Sequence, residues 1–472
     1  MVESPPVSES TPEPEHSLPG SLRRRAVVVV VTIALMAGST VALGRVGGRR
    51  ASAVGSIPRV TSGAWFCPHG GAPGWQGWVV IANPGSQAVR VRMTTFGADG
   101  GNPLRPFSVA GETEVYRQVP AGELGASTEV EYFGGWVGVS AVVSTGSSGG
   151  IGAERCLGPP QRKWYIPDEA ATAGERAYLV VMNPFAEAAA FDVSLFTASQ
   201  VIRPGSLMPY VIPARSSAAV RLGDYALLGP GERSLAVQIV TRLGRILAGG
   251  YVTSGRGLRD EAALGQPATQ WVVPSGGFAA ASRLVVLNAG EQRADLSVLS
   301  QGTSGQQLVS GPNGLSVPAG IAQTFPVGGL ANAGTVIQST NKQPIALVLE
   351  LTGPGGDAAT LDGATESAAR WIVLPSLPPV PGRTFLVVQN AGRVPAQIRL
   401  TAIGPQGQVQ KGVPASLSIA PGRTRQIALP EPTGAPISVM LEAMSGAVVA
   451  GSASLSLNGF GYAAALGTPI AD

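Results

Sequence analysis

Two cysteines, two histidines and three lysines are all that 472 residues contain, and each shortage removes a class of chemistry. His16 lies in a Pro-, Ser- and Glu-rich start, which leaves His69 alone in the rest of the chain. A Ser-His-Asp or Cys-His system would have to use that one residue. A zinc site normally takes three or four His, Cys or carboxylate ligands, and no such grouping occurs. No catalytic residue, metal ligand or cofactor is therefore assigned, and the chain does not read as an enzyme. Charged residues make only 13%, and the net charge of +4 is scattered. A nucleic-acid binder gathers Arg and Lys on one face or in one run, so no nucleic-acid partner is expected. Walker and Rossmann glycine fingerprints are missing too. Gly146-Ser147-Ser148-Gly149-Gly150 satisfies G-x-S-x-G, yet it lacks the strand-to-helix turn that makes a nucleophile elbow. Ser339-Thr340-Asn341-Lys342 satisfies S-x-x-K but reads as a turn before a strand.

Glycine (64) and proline (39) are abundant instead, and together exceed a fifth of the chain. Both interrupt helices, so short strands joined by tight turns are expected. The length is too great for one core and suggests three or four domains.

Residues 1–22 hold too few apolar side chains to fold and read as a disordered cytoplasmic tail. Arg23-Arg24-Arg25 then precede nineteen uncharged residues, Ala26 to Gly44, which reach about 28 Å as a helix. Residues 23–45 are read as a transmembrane signal-anchor, with 46–61 as linker. Ala51-Ser52-Ala53 offers a small-x-small cleavage site, but Arg45, Arg49 and Arg50 intervene, which suits an anchor better than secretion after cleavage. Flanking arginines do not settle orientation, with three before the span and four soon after it. The cysteines do. Cys67 and Cys156 both follow the span, on the first and last strands of one repeat, and are expected to form a disulfide outside the cytoplasm. Closing about 90 residues, it contributes about 4–5 kcal/mol on the chain-entropy model. The alternative is two unrelated buried thiols.

Self-comparison reveals four repeats. Each opens with Trp and a nearby Pro, at Trp65, Trp164, Trp271 and Trp371. About eighteen residues later an apolar run ends in Asn, at Asn83, Asn183, Asn288 and Asn390, which are 100, 105 and 102 residues apart. Strict alternation follows, as in Val89, Val91 and Met93, with the second repeat slipped by two onto Phe191, Val193 and Leu195. Each repeat closes on related wording: Cys156-Leu157-Gly158, Ala263-Leu264-Gly265, Thr360-Leu361-Asp362-Gly363 and Ala465-Leu466-Gly467. The chain stops at Asp472, just past this phrase, so a complete fourth repeat is expected. About seven strands in about 100 residues predict an all-β chain of tandem immunoglobulin-like β-sandwiches. The boundaries are 62–160, 161–268, 269–368 and 369–472, set as an open string, with closure into a ring or propeller as the alternative. The Trp residues are expected in cores or between repeats, and the Asn residues in Asx-type turns.

Surplus aromatics gather in the first repeat. Trp75, Trp78, Trp136, Tyr132 and Phe133 are the candidate binding residues for a glycan or partner protein, core filling being the plainer account. Carboxylates near the repeat junctions, Glu154, Asp168-Glu169 and Asp260-Glu261, would serve a glycan-processing enzyme, though solvated surface acids are the simpler expectation.

The anchor followed by W-x-x-P, LVVxNPG and V-P-A-G phrases resembles an actinobacterial family of membrane-anchored envelope proteins of unknown function. The resemblance covers most of residues 60–472. It implies a protein encoded near sugar-transfer genes of envelope assembly and carries over no catalytic residues. The expected role is a non-catalytic extracytoplasmic binding or scaffolding module on the plasma membrane, with a cell-wall glycan or an envelope protein as partner. A carboxylate-dependent glycan enzyme and a structural spacer are the competing readings.

Overall fold

Nine strands make the first repeat: β1 (Ser62–Cys67), β2 (Gln76–Asn83), β3 (Val89–Gly97), β4 (Gly100–Pro103), β5 (Phe107–Val109), β6 (Thr113–Val119), β7 (Ser127–Phe133), β8 (Gly138–Ser144) and β9 (Ile151–Arg155). Val89, Val91 and Met93 of β3 point into the core while Arg90 and Arg92 face water, as a period of two dictates. β8, by contrast, is buried along nearly its whole length. The computed structural model describes residues 62–470, apart from 147–148, 173, 227, 230–231, 255–256, 310–313, 328–329, 331, 410, 432–433 and 458–460. The expected tail, transmembrane segment and linker fall outside the described residues, as do Ser147 and Ser148 of the G-x-S-x-G match. Among the described residues no helix is long and apolar enough to cross a membrane.

The strands form two antiparallel sheets, β1-β7-β3-β4 with β5 also on β3, and β6-β2-β8-β9. The same two orders recur in the next two repeats, and in the fourth with the extra strand Thr468–Pro469 beside Arg370–Val373. Apolar side chains of both sheets, such as Val91 and Val130 from one and Val79 and Val139 from the other, share one core. In immunoglobulin order the first strand lies beside the second and the last beside its predecessor. Here β1 pairs β7, while β8 crosses to lie between β2 and β9, so β1 and β8 have exchanged sheets. The immunoglobulin-like expectation therefore holds for the inner pairs β2/β6 and β3/β7 but not for β1 and β8.

The slip by two in the second repeat is not present. Ala189 pairs Ile212 as Val89 pairs Val109, Ala294 pairs Val317 and Ala396 pairs Ile419. Ala189 is fully buried, and its small size disguised the start of the strand. The closing phrase of the fourth repeat is what shifts. Leu466 pairs Gly451 where Ala262 pairs Gly249, so Ala464 occupies the place of Asp260.

The open string is also corrected. The strand β9 and its counterparts Leu258–Ala262, Ala358–Asp362 and Tyr462–Leu466 pack in turn around a common axis, the last returning to β9. Each repeat presses its β6-type strand onto the sheet of the repeat before it: Ser216–Arg221 on β3 and β4, and β6 itself on Ala396–Gly404 and Gly407–Val409 of the fourth. The contact is head-to-tail and closes after four steps. Cores run across every joint. Phe66, Phe96 and Leu157 join the second repeat's core, Tyr165 and Phe196 the third's, and Ile372, Leu374 and Ala463 the first's.

Candidate functional site

The recurring residues have architectural geometry. All four tryptophan indoles donate to a carbonyl that opens the penultimate strand: Trp65 to Val137 (2.9 Å), Trp164 to Ile246 (3.1 Å), Trp271 to Ile345 (2.9 Å) and Trp371 to Val448 (2.7 Å). The four buried asparagines each accept a backbone N–H two residues on, closing an Asx turn at Gly85, Phe185, Gly290 and Gly392. Their amide groups donate to the carbonyl four residues on and to the turn after the fifth strand, as Asn288 does to Gln292, Val317 and Pro318. Left-handed backbone recurs in that turn, at Glu112, Arg215, Gly320 and Gly422.

Cys67 and Cys156 are bridged, with Cα atoms 4.5 Å apart, linking β1 to the end of β9 and hence the two sheets. In the third repeat the same place holds Val273 against Gly363, where an added Cβ would lie 3.1 Å from the valine. The disulfide replaces a tight apolar contact. The slot after each W-x-x-P proline is polar and buried: His69, Asp168, Ser275 and, one residue later, Ser376. His69 Nδ1–H donates to its neighbour Gly70 and Nε2 accepts from the Thr128 hydroxyl, at 2.9 and 3.1 Å. Burial pushes its pKa down to about 4, so the ring is neutral and fully engaged at neutral pH.

The five aromatics picked out in the first repeat are not brought together. Trp75 packs edge-on against Tyr251 of the second repeat, whose ring stacks on Tyr178. Trp136 is only 7% exposed and lies edge-on to Trp65. Tyr132 is buried over Gly63, Trp78 is half-buried on β2, and Phe133 is exposed near the Arg92 guanidinium.

The junction acids are the surprise. Glu154, Asp168, Glu169, Asp260 and Glu261 are not solvated; they are between 0 and 4% exposed. With Asp362 and Glu350 they make seven buried carboxyls where the first three repeats meet, against Arg155, Arg259 and Arg283. Arg259 lies 3.6 Å from Asp168 and 3.3 Å from Glu350, and Arg283 lies 2.6 Å from Glu350. Arg155 reaches Asp362 at 3.4 Å. Both oxygens of Glu154, Glu169 and Asp260 have no hydrogen-bond partner. Glu169 lies over Gly250, where any Cβ would strike its carboxylate. Burial raises the pKa of Glu154, Glu169, Asp260 and Glu261 well above the ordinary range, and lifts Asp168 to about 6. Sequence spacing named five of the seven and mistook their environment, because only closure of the ring buries them.

At one end of the axis the links between repeats converge on a depression of about 800 Å³. Its wall is mixed: Gln161, Gln266, Gln270 and Thr365 supply polar groups beside Trp164, Trp271 and Trp371 and smaller apolar residues. Arg155 lines it while pairing with Asp362. Among the described residues Glu366 is the one acid on the wall. Sequence reading missed this place, because the links are short Gly-, Pro- and Gln-containing phrases with no motif of their own.

The architecture defines an all-β protein built of antiparallel sandwich-like sheet pairs, with one disulfide. The chain belongs to the Family of unknown function (DUF5719), which residues 109–376, more than half of its length, match. That stretch contains the whole buried acid group and most of the depression. No curated protein matches. Among solved structures, Thermotoga maritima 1070 aligns at 15% identity over 22% of this chain and 94% of its own, with a TM-score of 0.19. Streptomyces avermitilis alpha-L-rhamnosidase complexed with L-rhamnose aligns at 10% identity over 80% of this chain and 54% of its own, with a TM-score of 0.13. A tetra-tandem repeat from the extending region of a large adhesion protein aligns at 12% identity over 82% and 92%, with a TM-score of 0.08. Scores this low carry no weight for function.

Proposed function

We propose that the chain is a non-catalytic, membrane-anchored binding module of the cell envelope, its four immunoglobulin-like repeats closed head to tail and its ligand end at the axial depression. The carrying observation is that depression. Its volume lies in the range of ligand sites, and its wall offers amide and hydroxyl groups suited to a polyhydroxylated ligand such as an envelope glycan. Against a glycan-cleaving role stands the chemistry beneath it. Glycosidases need two accessible carboxyls about 5–9.5 Å apart. Here the paired acids are walled in, and Glu366 stands alone on the surface among the described residues. The disulfide favours a non-cytoplasmic location, and the apolar run from Ala26 to Gly44 supplies the tether.

The test is titration of the purified chain with soluble cell-wall glycan fragments. Thr365→Trp and Gly158→Leu narrow the depression; Gly158 has an ordinary φ, and the nearest atom to its Cβ is a Trp65 ring carbon at 4.0 Å. Both are expected to weaken binding at least tenfold, while Phe133→Ala leaves it unchanged. Binding that ignores the two narrowing changes and follows Phe133 or Trp78 would move the site to the first repeat. Release of shortened glycan that stops in Glu366→Gln would reinstate an enzyme.

A further inference from the structure

The seven carboxyls on the axis are more than burial of this kind tolerates as charge. Three arginines face them: Arg155 from β9, Arg259 from Leu258–Ala262, and Arg283 from Ala281–Asn288. The acids come from β9 (Glu154), from the turn after Lys163–Ile166 (Asp168, Glu169), from Leu258–Ala262 (Asp260, Glu261), from Ala346–Thr352 (Glu350) and from Ala358–Asp362 (Asp362). Glu175 and the phenols of Tyr178 and Tyr251 stand at the edge of the group. Even with every arginine paired, four carboxyls are left without a counter-charge. Six oxygens on Glu154, Glu169 and Asp260 find no donor either. A buried carboxylate without partners is far costlier than the neutral acid. The other two joints differ. At the third-to-fourth joint Asp357 accepts N–H groups of Gly461 and Tyr462; at the fourth-to-first joint Glu114 accepts the Ser438 N–H and hydroxyl.

We propose that the joints between the first three repeats form a proton-dependent lock, closed while Glu154, Glu169, Asp260 and Glu261 are neutral and loosened when they ionise, whereas the third-to-fourth joint stays shut. The sign follows from linkage. An acid whose folded-state pKa is raised keeps a proton that the unfolded chain has lost above about pH 4. Its contribution to stability is therefore complete below about pH 4 and is lost as pH rises toward the folded value. Each such group changes the folding equilibrium tenfold per pH unit in that window. For Asp168 the window runs to about pH 6, and for Glu154, Glu169, Asp260 and Glu261 it extends further. His69 acts oppositely, its stabilising neutral form being lost as pH falls from about 6.5 toward 4. Glu114, raised to about 8 at the fourth-to-first joint, and Glu129, raised to about 7, add to the alkaline loss from outside the group. The lock does not depend on the axial depression binding anything, and its test reads stability rather than ligand.

The experiment is urea unfolding of the full-length chain from pH 5 to pH 9, with hydrogen exchange corrected for intrinsic rate at pH 6 and pH 8.5. The unfolding constant is expected to rise by at least a hundredfold per pH unit between pH 6 and pH 8. Glu154→Gln, Glu169→Gln and Asp260→Asn, which keep shape, should each remove about one proton from that slope. Protection should fall at pH 8.5 in 151–155, 258–262 and 358–362 and persist in 462–466. A flat profile, an unchanged slope in all three amide variants, or equal loss in 462–466 would overturn the lock. So would calcium restoring stability at pH 8.5, which would make the carboxylates charged ligands.

Discussion

The two halves of the axis solve the same packing problem with opposite chemistry. Around the first three repeats the inner strands carry Glu154, Arg259, Asp260, Glu261 and Asp362, and the meeting ground is ionisable. Around the fourth the inner strand is Tyr-Ala-Ala-Ala-Leu, packed on Ile151 and neighbouring apolar groups. Its buried acids Asp357 and Glu114 each accept two hydrogen bonds at one carboxylate oxygen, and the other oxygen has no partner. Both halves accept the same strand geometry, and apolar cores cross every joint, so the ring does not need charge at its axis. An apolar axis would have been the cheaper solution for stability, since well-packed hydrophobic groups match or exceed buried ion pairs.

Four changes break or sharpen that contrast. Removing the disulfide with Cys67→Ala and Cys156→Ala should cost about 4 kcal/mol, read by urea unfolding, because the loop constraint is lost and alanine leaves a void where the third repeat packs Val273 on Gly363. Placing a carboxyl in the apolar half with Ala464→Asp, at the place of Asp260, should cost about 3 kcal/mol at pH 7 and less at pH 5. Asn288→Ala strips donors from three carbonyls and should cost about 2 kcal/mol at every pH, since no titrating group is involved. The smallest effect at pH 5 is the reverse swap. Asp260→Ala should be close to neutral there and gain on the parent chain by about 1.4 kcal/mol for each pH unit above pH 6, checked in the same unfolding series.

Much of the ring was written in local pattern. The three nearly equal Asn spacings, the tryptophans and the alternation after each Asn carry the strands and turns, because short-range chemistry decides them. Ala189 shows the limit of that reading: a small residue on the buried face leaves the period of two intact but hides where it begins. Closure was not legible, since it depends on the fit of β6 against Ala396–Gly404, about 280 residues away, and neither strand advertises a partner. The site inherits that blindness. Glu154, Asp168 and Asp260 look like ordinary turn acids in sequence, and the depression exists only because links far apart in the chain meet at one end of the axis. The exchange of β1 and β8 was hidden for a related reason: neither Ser-Gly-Ala-Trp-Phe-Cys nor Gly-Val-Ser-Ala-Val-Val-Ser has an alternation that marks which sheet it joins.

The depression and the buried acid group rest on closure of the four repeats, and small-angle scattering of residues 56–472 tests that closure most directly. The closed arrangement predicts a radius of gyration of about 22 Å, the value for one compact body of that length. A radius roughly twice that, with the distance distribution of an elongated rod, would return the repeats to an open string and dissolve both the depression and the buried acid group.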